Sequence, residues 1–178
     1  MKHVFATASV LVAVLLTPGL AVADDDDRKD RGDKGGLRFE ATLDGAQETA
    51  NVITDTTGKV TVKFNKALSE LYVKLRIRKG ENITRAHFHC ARPGENGSIV
   101  FGVFDPGPLD LDDKGAEGTL TNADVVAAPS CLTSIGRSVN NVAALAFAMR
   151  DGLIYFNVHS SAFPGGVIRG QMLEVSND

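Results

Sequence analysis

The chain has no tryptophan and only two tyrosines among its 178 residues. Aromatic platforms for stacking bases are therefore scarce. Positive charge is not in excess either: 19 Lys and Arg stand against 22 Asp and Glu, a formal net charge of −3. A nucleic-acid face needs clustered cations to displace phosphate counterions, so nucleic acid is excluded as a partner. No segment approaches the roughly 20 consecutive apolar residues of a membrane span. Gly94-Glu95-Asn96-Gly97 is too short for a phosphate loop and lacks its lysine, and it reads as a turn. No Ser-His-Asp arrangement is identifiable, because Ser160 directly follows His159 and adjacent strand residues face opposite ways. No internal repeat is evident. Cysteine is limited to Cys90 and Cys131, and histidine to four positions.

What is present begins with an export pattern. Lys2 and His3 open the chain, Val10 to Leu16 is a short apolar run, and Ala21-Val22-Ala23 is a small-x-small cleavage site. This predicts a signal peptide over residues 1–23 and a product exported to the periplasm or the extracellular space. Removing 23 of the 178 residues leaves 155, a length that suits one domain. Asp24 to Gly36 reads DDDDRKDRGDKGG. With no apolar residue it cannot bury a core, so residues 24–36 are expected to be an acidic, disordered linker. The folded domain is then expected over residues 37–175.

From Leu37 the pattern becomes that of short half-buried strands. Phe39, Ala41 and Leu43 alternate with polar residues, as do Val60, Val62 and Phe64, and then Leu71, Val73, Leu75 and Ile77. Ile99, Phe101 and Val103 predict a further strand, ended by the rigid loop Pro106-Gly107-Pro108. Thr121 or Asn122 is positioned to cap a short helix through Val126. A second helix is expected from Asn140 or Asn141 through Met149, because Val142, Leu145, Ala146 and Met149 form one apolar stripe. Gly152 is its natural stop. Alternation resumes at Leu153 and again from Val167 to Val175, with Ser160 to Gly166 as the hairpin loop. Many short strands with one or two helices predict a mainly β fold, an immunoglobulin-like or Greek-key β-sandwich or barrel.

Two β-segments carry the chemistry. His87-Phe88-His89 places two imidazoles on one strand face, with Ala86, Phe88 and Cys90 on the other. Tyr155, Asn157 and His159 share a face of the second segment. Neutral imidazole suits copper and zinc. His87, His89 and His159 are therefore the candidate ligands of a transition-metal ion, if the two segments lie side by side. The competing reading is three histidines that hydrogen-bond without a common ligand. Asn157 and Tyr155 are placed to support the ligands from behind, and Asn157 is equally placed to satisfy a backbone group. Arg169, sharing a face with Val167 and Gln171, either binds an anion or pairs with Glu48, Glu95 or Glu174. An exported protein with an even cysteine count usually pairs them. A Cys90–Cys131 disulfide is therefore expected, in preference to a Cys90 thiolate ligand that strand alternation would point away from His89.

The ordered set of motifs resembles the chordin-type domain, CHRD. It comprises Leu43-Asp44-Gly45-Ala46-Gln47-Glu48, Thr57-Gly58, Ala86-His87-Phe88-His89, Asn96-Gly97 and Gly118-Thr119-Leu120-Thr121. It continues with Tyr155-Phe156-Asn157-Val158-His159, Pro164-Gly165-Gly166 and Ile168-Arg169-Gly170-Gln171. The resemblance covers roughly Arg38 to Leu173. It implies an immunoglobulin-like β-barrel related to copper-zinc superoxide dismutases, and an extracytoplasmic setting. Thr49-Ala50-Asn51 departs from the prolines that members often carry there. Dismutases of that type use several more histidines than the three available, so dismutase activity is not expected. The sequence thus points to an exported protein binding copper or zinc, with no enzyme class assigned. The alternatives are an extracellular interaction or adhesion module without metal, and a three-histidine zinc hydrolase for which no general base stands near the motifs.

Overall fold

The structure is a computed structural model, and it describes residues 36–104 and 115–176. The predicted signal peptide, the linker up to residue 35 and the Pro106-Gly107-Pro108 loop lie outside these residues. Among the described residues the chain is mainly β, with two short α-helices. The strands are β1 (Arg38–Asp44), β2 (Thr57–Phe64), β3 (Glu70–Arg78), β4 (Ile83–Cys90), β5 (Ser98–Phe104), β6 (Gly115–Thr121), β7 (Ile154–Ser160), β8 (Ile168–Gln171) and β9 (Leu173–Glu174).

The first three strands form a meander because each alternates strictly and each turn is chemically defined. Between β2 and β3, the Asn65 side-chain oxygen accepts from the backbone N–H of Ser69 and Glu70. This is the local side-chain bonding that favours asparagine in turns. The hydrogen-bonded order is β5-β4-β7-β8-β1-β2-β3-β6, antiparallel throughout, with β9 beside β1. The two outer strands nearly meet. The segment following β6 bonds back to β5 through the bridge of Phe101 with Val125 and through Val126 N–H to Val100 O. The sheet is therefore a nearly closed, barrel-like sheet, which removes most exposed edge.

One face of the sheet lines the core. Phe39, Val62, Val73, Leu75, Phe88, Phe156 and Ile168 are fully buried there, and Phe88 meets Phe156 edge-on with ring centroids 4.9 Å apart. Burying one such side chain stabilises by about 1.5–3 kcal/mol. Helix α1 (Ser130–Ile135) and helix α2 (Val142–Arg150) pack against this body. The Asn141 side chain caps α2, accepting from Ala144 N–H, and Gly152 follows it at φ 69°. Both agree with the sequence reading. The disulfide is present: Cys90 at the end of β4 is bonded to Cys131 on α1, 41 positions later.

Three local expectations need correction. The helix expected from Thr121 or Asn122 to Val126 is only a 3-10 turn, Asn122–Asp124, closed by a Thr121–Asp124 capping box. It stops there because Val125 and Val126 are recruited to β5. The alternation through Ile99, Phe101 and Val103 is broken, since Val100 and Phe101 are both fully buried. Register shifts between Ala86 and His87, and between Phe88 and His89, put bulges into the β4–β5 pairing, and a bulge turns successive side chains to the same side. The strand expected from Val167 to Val175 is split: Ile168–Gln171 pair with β7, the Met172 N–H still bonds Ile154 O on β7, and Leu173–Glu174 then pair with β1. Strand β6 and helix α1 are findings of the structure, since Gly115–Thr121 carries little apolar alternation.

Gly170 marks a close approach of β8 to β1. A Cβ there would overlap the Thr42 carbonyl oxygen of β1. Gly170→Ala is expected to destabilise by about 1–3 kcal/mol, as overpacking does, measured by urea unfolding. A midpoint equal to wild type would contradict the tight β8–β1 contact.

Candidate metal centre

The two histidine segments lie side by side. In the β4–β7 register His87 is opposite Asn157, His89 opposite Tyr155, and Arg85 opposite His159. Strand β8 continues the rows, with Arg169 opposite Asn157 and Gln171 opposite Tyr155. Because His87, His89, Tyr155, Asn157 and His159 alternate with core residues, they stand together on the other face of the sheet. That face is not open to solvent, as a polar strand face would suggest. His87, His89 and His159 are 3 %, 7 % and 8 % exposed. Loops bring the cover: the Gly97 carbonyl oxygen lies 3.0 Å from His89 Nδ1, and the Pro164 carbonyl oxygen lies 3.0 Å from His159 Nδ1.

These two contacts decide the tautomers. A carbonyl only accepts, so each imidazole carries its proton on Nδ1 and presents a lone pair at Nε2. His89 Nε2 is buried and has no hydrogen-bond partner. His159 Nε2 lies 3.1 Å from His87 Nδ1. One nitrogen from each of the three residues can be chosen so that all lie within 4.8 Å of one another. Tetrahedral coordination at 2.0–2.1 Å sets nitrogens about 3.3–3.4 Å apart. The His87 Nδ1–His159 Nε2 pair, at 3.1 Å, is near that spacing.

Burial pushes the His89 imidazole down to about 4, against a smaller upward effect of the Gly97 carbonyl and further lowering by His159, His87 and Arg169. Its proton is therefore bound more tightly in the unfolded chain than in the folded one. In the metal-free protein this contribution to stability is complete above about pH 6.5, falls as the pH drops, and is gone once the pH passes below about 4. The expected loss is on the order of 3 kcal/mol. Chelator-treated protein should show it in urea midpoints taken from pH 7 to pH 4, and His89→Gln should flatten that part of the profile. A profile unchanged by His89→Gln would refute the assignment.

The supporting residues form a second row. Tyr155 stacks on His89 with centroids 4.8 Å apart and planes 10° from parallel. Its hydroxyl accepts from Gly97 N–H at 3.3 Å, so one residue holds both the ring and the loop that fixes the ring's proton. Burial raises the Tyr155 phenol above its ordinary value. The Asn157 amide donates to Ile168 O at 3.1 Å and to Glu48 Oε1 at 2.6 Å, so it serves the backbone and a carboxylate. Arg169 donates from Nε to Gln47 O at 2.6 Å and from Nη1 to Asn96 Oδ1 at 2.9 Å. It lies 3.8 Å from Glu48 Oε2, with its guanidinium 4.9 Å from the centroid of Tyr155. Of the acidic partners weighed from sequence, Glu48 is the one whose carboxylate pairs with it, while Glu95 contributes a backbone carbonyl.

From sequence Glu48 is only one of three candidate partners for Arg169, and its bond to Asn157 is a finding of the structure. Its side chain is 5 % exposed, and burial raises its carboxyl above the usual value, partly offset by Asn157 and Arg169. Glu48 follows Asp44-Gly45-Ala46-Gln47, where Asp44 caps a 3-10 turn by accepting from Gln47 N–H. Gly166, at φ 138°, lets the covering loop pass directly over this pair, because a Cβ there would strike Glu48 and Asn157. A cavity of about 380 Å³ opens beside the row, lined by Gln47, Glu48, Glu95, Tyr155, Arg169 and Gln171 among others. None of the three histidines lines it.

Comparison with known proteins gives one result. A family model described as the CHRD domain matches residues 39–172. No curated protein and no solved structure matches the chain.

Proposed function

The chain belongs to the CHRD domain family, and from that premise we propose that it is an exported protein that holds one copper or zinc ion through His87, His89 and His159. The observation that carries the reading is His89 Nε2. It is a lone pair buried without a partner, beside two other imidazole nitrogens within reach of one ion. An unpaired buried acceptor costs about 1–3 kcal/mol, and a cation removes that cost. On binding, the hydrogen bond between His87 Nδ1 and His159 Nε2 gives way to the ion, with the His87 proton carried on Nε2, so three neutral imidazoles bind with no net proton released. The carbonyls of Gly97 and Pro164 and the ring of Tyr155 keep the imidazoles oriented, the role such supporting contacts play in metal sites. The Cys90–Cys131 disulfide favours an oxidising compartment. Among the described residues no helix is long and apolar enough to cross a membrane.

The test is elemental analysis of dialysed protein, repeated for His87→Ala, His89→Ala and His159→Ala. One equivalent of ion in the wild type and its loss from all three variants is the expected result. Background metal in every sample would leave the extracellular interaction module as the better reading.

A further inference from the structure

The three-histidine reading can be narrowed to one ion. Resting on that reading, we infer that the preferred occupant is monovalent copper rather than a divalent cation. The donor set is the first reason. The metal-competent group consists of three imidazoles, with no carboxylate or thiolate among them in the described residues. Cys90, next to His89 in sequence, is bound in the disulfide. The cage therefore brings no negative charge of its own to the ion. The Glu48 carboxylate beside this row is paired with Arg169 at 3.8 Å, so the two charges largely offset each other.

Burial is the second reason. All three rings are more than nine-tenths buried, and His89 Nε2 has no contact with solvent. Moving an ion from water into such a medium costs energy that grows as the square of its charge. A monovalent ion thus carries roughly a quarter of the penalty of a divalent one of equal size. Divalent sites in proteins usually offset that penalty with anionic ligands, and the group of three imidazoles includes none among the described residues.

Coordination number is the third. Zinc sites are almost always four-coordinate, with water or substrate filling the place that protein leaves open. Here the side chains supply three donors, and the neighbouring cavity is not lined by any of them. Copper(I) has a filled d shell and is satisfied by three nitrogens.

The experiment strips the purified protein with a chelator and titrates it separately with Cu(I) under ascorbate, Cu(II) and Zn(II), each against a chromophoric competitor. Cu(I) should bind at one equivalent at least about 100-fold more tightly than either divalent ion, a margin of about 2.7 kcal/mol. His89→Ala should abolish that binding. Cu(II) is the sharper comparison, because generic copper affinity would favour it over zinc regardless of charge. If Zn(II) or Cu(II) binds within that factor of Cu(I), or more tightly, the inference is overturned while the three-histidine site stands. If none of the three binds, both fall together.

Discussion

Truncating Arg169 to alanine is expected to cost the fold about 3–5 kcal/mol, the range found when one partner of a buried ion pair is removed. The side chain is 5 % exposed and ties three segments distant in sequence. It donates to Gln47 O in the loop after β1, and to Glu95 O and Asn96 Oδ1 in the loop after β4. Its guanidinium also backs the Tyr155 ring that stacks on His89. Without it the Glu48 carboxylate stays buried, held only by the Asn157 amide among its charged and polar partners described here. Arg169→Lys should recover part of the loss, since a lysine supplies charge but cannot span both loops. The double variant Arg169→Ala/Glu48→Gln isolates the charge effect. It should be more stable than Arg169→Ala alone in urea unfolding. If it is equally unstable, the buried-carboxylate explanation is wrong and the loop ties carry the cost.

Removing the disulfide should have an effect of similar size. Cys90 and Cys131 close a loop of 41 positions, which the chain-entropy model values at about 3–4 kcal/mol. Both residues are fully buried, so Cys90→Ala/Cys131→Ala also loses sulfur contacts within the core. The same variant probes the metal centre. Cys90 stands on the core face, opposite the face of His89, so its loss should leave metal stoichiometry unchanged while lowering the unfolding midpoint. Loss of the ion from a folded double variant would instead return Cys90 to the ligand set. A midpoint within about 0.5 kcal/mol of wild type would show that the bridge adds little to this fold.

Much of the architecture was legible because it is written in local periodicity. Strands β1, β2 and β3 each bury every second residue, which alternating apolar side chains predict directly. Helix α2 was legible for the same reason, with a stripe at helical spacing and an asparagine cap. Strand β6 was not, because Gly115–Thr121 contains little apolar surface and is ordered by its pairing with β3. The turn at Asn122–Asp124 shows the reverse error, where a good cap was followed by residues that a distant strand claims.

The candidate site divides in the same way. The sequence by itself determined that His87 and His89 share a face and that Tyr155, Asn157 and His159 share another, because side-chain direction along a strand is a local property. It determined the pairing of the two cysteines once export was inferred. Only the tertiary structure decided that β4 and β7 are neighbours, that loops bury the imidazoles, and that Glu48 arrives beside Asn157 from 109 positions away. Strand order and loop placement are set by packing over the whole barrel, and no short stretch of sequence records them.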